Sequence, residues 1–88
     1  MQIVKSQIKF LSNALESEVI EEKNTEIESI LNELQPLVSV EEFKKILDRT
    51  EDDYQEALYK NRFWPMRQIP AKNDVIFKLK RTVEYYNK

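Results

Sequence analysis

The chain is expected to be all-α, a small antiparallel bundle of three or four helices, and three observations carry that expectation. Apolar residues recur every three to four positions along most of the chain, the period of an amphipathic helix. Two stretches, Thr25-Glu26-Ile27-Glu28 and Ser39-Val40-Glu41-Glu42, have the form of a capping box, in which side chains satisfy the free amides at a helix start. None of the 88 residues is glycine. Tight hairpins therefore lose their usual positive-φ residue, and connections fall to Asn, Asp, Ser and Pro.

Taken in order, Val4, Ile8, Leu11, Leu15 and Val19 form the first stripe, widened by Phe10, and predict a helix over about 2–22. Thr25 then reads as an N-cap with Glu28 at N3, and Ile27, Ile30, Leu31 and Leu34 follow on one face. Pro36 disfavours helical geometry in the residue before it, so this second helix spans about 25–35. Ser39, with Glu42 at N3, opens a third helix over about 40–61. Val40, Phe43, Ile46, Leu47, Tyr54, Ala57 and Leu58 make its apolar stripe, and Thr50 fills the gap. Pro65 and Pro70 predict a proline-containing loop over 63–73. Asn73 or Asp74 would cap a last helix, 74–87, with Ile76, Leu79, Val83 and Tyr86 inward. Residues 77–85 also alternate with period two, as a strand does, but no other segment offers a partner strand.

A chain of this length makes one domain, 1–88, burying roughly 60–65% of the surface its unfolded form exposes, with a thin stability margin. Its charge divides it into an acidic body (1–61), a proline- and aromatic-rich loop (62–73) and a basic C-terminal helix (74–88). Residues 1–59 carry six Lys/Arg against fourteen Asp/Glu, a balance of −8, whereas residues 60–88 carry eight against two, a balance of +6, for a net of −2. Cysteine is absent, so neither a disulfide framework nor a thiolate site can form. The first residues lack the apolar block of a signal peptide, and no apolar run approaches the ~20 residues of a membrane span. A cytoplasmic protein without a membrane partner is expected.

Absent residue types exclude most chemistry. With no His and no Cys, the usual general base, thiol nucleophile and zinc ligands are missing. Glycine-dependent phosphate loops are missing too. Carboxylates are plentiful: Glu18, Glu21 and Glu22 on the first helix, and Asp48, Glu51, Asp52 and Glu56 on the third. They do not reproduce the Glu-Glu-x-x-Glu and Glu-x-x-Asp pattern with which all-helical nucleotide pyrophosphohydrolases hold magnesium. Glu21-Glu22 is followed by Glu26, one residue out of register, and no later Glu-x-x-Asp completes the set. A solvated polar face is the plainer reading. The expectation is a protein with no catalytic residues, no metal and no cofactor.

Two binding classes remain. Trp, Tyr, Arg and Met favour the energetic centres of protein interfaces, and Tyr59, Arg62, Trp64 and Arg67 concentrate them in one short stretch. That pattern suits a small regulator, inhibitor or immunity- or antitoxin-type factor, a bacterial or phage accessory protein that acts by binding a partner protein or a second copy of itself. The alternative is an accessory protein that binds nucleic acid through Lys60, Lys72, Lys78, Lys80 and Arg81, with Phe63, Trp64 and Tyr85 available to stack on bases. A pI near 5.2 opposes it, as does a connection too long for a helix-turn-helix. Trp64 also has a plainer role: a stiff loop folding Phe63, Trp64, Met66 and Ile69 over the open end of the bundle as a plug, leaving Arg62 and Arg67 outside.

Overall fold

The computed structural model describes Leu11 and residues 18–87, and all regular structure among them is helical. The elements are α1 (Glu18–Leu34), a 3₁₀ turn (Gln35–Leu37), α2 (Val40–Lys60) and α3 (Gln68–Tyr86). Helix α3 packs against both α1 and α2. The stripe expected over about 2–22 falls mostly outside the described residues, apart from Leu11, which is buried, and positions 18–22.

One helix occupies α1 where the capping pattern predicts a break and a restart at Thr25. The side chains explain the difference. Thr25 Oγ1 donates to the Glu21 carbonyl four residues back, 2.9 Å away, so the hydroxyl serves the helix interior and not a start. Asn24, which falls between the two expected helices, is buried and bonded across the core. With Asn24 counted as inward, Ile20, Asn24, Ile27, Leu31 and Leu34 form one unbroken buried stripe. The stripe also turns by one position from expectation, since Ile20 is buried and Val19 is exposed.

Helix α2 follows its sequence pattern closely. Ser39 Oγ accepts the Glu42 amide at 3.1 Å, the N-cap bond expected. Phe43, Ile46, Thr50, Tyr54 and Ala57 are buried, and Thr50 closes the gap in the stripe by donating to the Ile46 carbonyl at 2.7 Å. Val40, expected inward, is exposed. The Glu42 carboxylate accepts the Tyr86 hydroxyl at 3.0 Å, so the last turn of α3 sits on the first turn of α2.

Helix α3 begins at Gln68, six residues ahead of the expected start, and the capping role assigned to Asn73 or Asp74 does not occur. Proline in a first turn removes an amide that has no intrahelical acceptor there anyway, so Pro70 stands at the third helical position without breaking a bond. The Ile69 amide donates to the Met66 carbonyl (3.1 Å) and the Ala71 amide to the Arg67 carbonyl (3.2 Å), which satisfies the helix start without a side-chain cap. Ala71, Lys72, Val75, Ile76, Leu79 and Val83 are buried. The strand alternative for residues 77–85 is thereby excluded. No described residue has a positive φ, as a chain without glycine predicts.

The core joins Leu11 to Ile27, Leu31, Leu34, Ile46, Tyr54, Val75 and Leu79, among others, drawn from all three helices. Each such side chain contributes about 1.5–3 kcal/mol relative to exposure. Inside this apolar cluster lies a lysine amine. Lys72 is 0% exposed, donates to Asn24 Oδ1, and stands 5.5 Å from the centroid of the Tyr54 ring. Asn24 Nδ2 donates in turn to the Leu11 carbonyl at 2.9 Å.

The two capping patterns separate experimentally. Ser39→Ala should cost about 1 kcal/mol by urea denaturation, whereas Thr25→Ala should stay within about 0.5 kcal/mol or stabilise, since alanine is the better interior helix former. Equal losses at the two sites would return Thr25 to a capping role.

Candidate functional site

The residues singled out for partner binding gather at the connection between α2 and α3, whose chain path is set by short-range bonds. Asn61 ends α2, with its backbone amide (3.1 Å) and Nδ2 (2.8 Å) both donating to the Ala57 carbonyl. The Arg62 amide donates to the Tyr59 carbonyl at 3.2 Å and the Trp64 amide to the Asn61 carbonyl at 3.0 Å. These turns project the side chains outward. Trp64 is 68% exposed, Phe63 86% and Tyr59 66%.

This overturns the plug. The extra helical residues at the start of α3 bring Ala71 and Lys72 into the core, whereas Phe63 and Trp64 stay outside it. Ile69 and Pro70 are only half-buried, and Met66 is exposed. Together with Asn61, Trp64 and Pro65 they line an open, largely apolar groove of about 560 Å³.

Arg62 is held in place at the edge of this surface. Its guanidinium lies 4.3 Å from the Tyr59 ring centroid and 4.7 Å from that of Phe63, and Nη1 donates to the Tyr59 carbonyl at 3.0 Å. Stacking on two rings fixes the charge while leaving it in solvent. Arg67 is exposed immediately before α3, and its charge opposes the effect of burial on the Tyr54 phenol. Among the described residues, neither arginine has a carboxylate within ion-pair distance.

The basic residues expected to touch nucleic acid are not brought together in the same way. Lys72 is in the core and is withdrawn from any phosphate, a correction that follows from the early start of α3. Lys60 pairs with Glu56 (3.3 Å), Lys80 with Glu26 (3.1 Å), and Lys78 with both Asp53 (3.6 Å) and Asp74 (3.4 Å). Arg81 lies 5.8 Å from the Phe77 ring centroid. Exposed pairs of this kind contribute little stability, about 0–1 kcal/mol each, but they offset the lysine charges against acidic neighbours.

A smaller groove of about 260 Å³ runs between α2 and α3 past Arg49, Thr50, Asp53, Lys78 and Thr82. Its hydroxyls are spent on their own helices, Thr50 on the Ile46 carbonyl and Thr82 on the Lys78 carbonyl. Asp53 faces Lys78 across it, so no set of like groups converges on a ligand. Among the described residues no three carboxylates stand close enough to hold a metal ion. No described helix is long and apolar enough to cross a membrane.

No protein-family model, no curated protein and no solved structure matches the chain.

Two phenols report on the packing around α3. The hydrogen bond to the Glu42 carboxylate, then burial, raises the Tyr86 pKa, while burial raises that of Tyr54 against the pull of Arg67. Both hold their protons more tightly folded than unfolded. Their contribution is therefore complete below about pH 10 and is lost as pH rises through the folded values. Denaturation midpoints measured from neutral to strongly alkaline pH should fall above about pH 10, and Tyr86→Phe should flatten that decline. An unchanged alkaline profile in the variant would show that the Tyr86–Glu42 bond does not form.

Proposed function

We propose that the protein is a non-catalytic interaction factor, a regulator, inhibitor or immunity- or antitoxin-type protein, that acts by occupying a partner protein through the α2–α3 connection. One observation carries the reading: Tyr59, Phe63 and Trp64 stand in solvent beside an apolar groove, although the same small chain buries almost every aliphatic side chain of its core. A contiguous exposed apolar patch rimmed by charge is characteristic of a binding surface. The connection is also suited to binding with a low ordering cost. Pro65 stiffens it, Asn61 and Trp64 anchor it by backbone bonds, and Arg62 is already stacked. The lack of His and Cys supports a role without catalysis, and a cytoplasmic setting accords with the lack of Cys.

Binding of nucleic acid through the basic third is the weaker reading. Its lysines are dispersed among carboxylates, and Lys72 is buried.

Trp64→Ala is the direct test. Thermal and urea denaturation should change by no more than about 0.5 kcal/mol, as for a surface substitution. Affinity capture from cell lysate followed by mass spectrometry should lose a partner that the unmodified protein retains. A loss of about 3–5 kcal/mol would instead mean that Trp64 belongs to the core. Recovery of nucleic acid alone would favour the other class.

A further inference from the structure

The groove at the α2–α3 connection lies within a stretch of single-signed charge. From Ala57 through Asn73 there is no Asp or Glu, although the whole chain carries 16 of them. Every residue lining the groove, from Asn61 to Pro70, falls inside that stretch. Of its four cations, Lys60 is paired with Glu56 and Lys72 is buried, which leaves Arg62 and Arg67 as exposed charges with no carboxylate at ion-pair distance among the described residues. The first turn of α3, which supplies Ile69 and Pro70 to the groove wall, contains no acidic residue that would offset the positive end of the helix.

From this charge arrangement we infer that the occupant of the groove is an acidic segment of a partner protein. It places one bulky apolar side chain against Trp64, Met66 and Ile69, and its carboxylates on Arg62 and Arg67. The inference rests on the function proposed above and adds the chemistry of the partner. The arginine fork accepts a carboxylate through two parallel bonds, and Arg62, stacked on Tyr59 and Phe63, is pre-oriented to do so. The acidic outer face of α2 (Asp48, Asp52 and Glu56, all exposed) would repel the same segment. Charge therefore sets the docking position, and the groove supplies the burial.

The test presents the folded protein to a display library of random peptides of mixed charge. Enriched peptides should carry net negative charge with at least one bulky apolar residue. Trp64 is the chain's only tryptophan, so its fluorescence should shift on titration with a synthetic copy of an enriched peptide. The Arg62→Ala/Arg67→Ala double variant, checked for unchanged melting, should bind that peptide about three- to tenfold more weakly and lose most of the salt dependence. Enrichment of neutral or basic peptides that still disappears with Trp64→Ala would overturn the acidic partner while leaving the binding surface in place. Selection unaffected by Trp64→Ala, or no enrichment, would overturn both. Sedimentation showing a dimer that blocks the titration would assign the groove to a second copy. Tighter, arginine-dependent binding of a single-stranded oligonucleotide would assign it to nucleic acid. Either result overturns the inference.

Discussion

The buried, hydrogen-bonded amine of Lys72 is the constraint from which the arrangement of the helices follows. An amine in an apolar core is costly unless it is hydrogen-bonded. Among the described residues, Lys72 donates to Asn24 on α1, whose amide also holds the Leu11 carbonyl, and stands over the face of the Tyr54 ring on α2. One side chain of α3 thereby ties to both other helices and, through Asn24, to Leu11. Apolar contacts alone tolerate sliding between helices, whereas hydrogen bonds require one register. No buried side-chain polar atom among the described residues lacks a hydrogen-bond partner.

The position of Lys72 also decides what becomes of the loop. For its amine to reach Asn24, residues 68–72 must already be helical, and Pro70 permits this because it falls in the first turn. Once α3 starts that early, Ala71, Lys72 and Val75 join the core, and the connection shrinks to residues 61–67. Trp64 and Phe63 stay outside it, on the exposed surface.

Much of this was legible in the sequence. The aliphatic period placed α2 to within a residue of its ends, and Ser39 marked its start, because there the apolar stripe and the capping pattern agree. The inward residues Ile76, Leu79 and Val83 were equally readable. The failures have a common cause in polar residues that act as core. Asn24 and Thr25 read as a helix boundary because Asn and Thr bond their own backbone in caps and turns, but Asn24 points inward and Thr25 bonds backward along one continuous helix. Lys72 read as a surface cation because lysine is rarely buried. With Asn24 and Lys72 inward, the α1 stripe runs unbroken past Thr25 and the α3 stripe extends back to Ala71. The candidate site was found by composition alone, since Tyr59, Arg62, Trp64 and Arg67 do share one exposed region, but the sequence pattern assigned the tryptophan to the wrong side of the surface.

A double-mutant cycle on Asn24 and Lys72, followed by urea denaturation, tests the central claim most directly. Asn24→Ala removes one acceptor from the buried Lys72 amine, whereas Lys72→Met keeps the side-chain volume and removes the donor that the Asn24 amide serves. Asn24→Ala should therefore be markedly less costly in the Lys72→Met background than in the unmodified protein, with a coupling energy of about 1–3 kcal/mol between the sites. If the two substitutions add to within about 0.5 kcal/mol, the residues do not interact, and the Asn24–Lys72 bond does not set the register of α1 on α3.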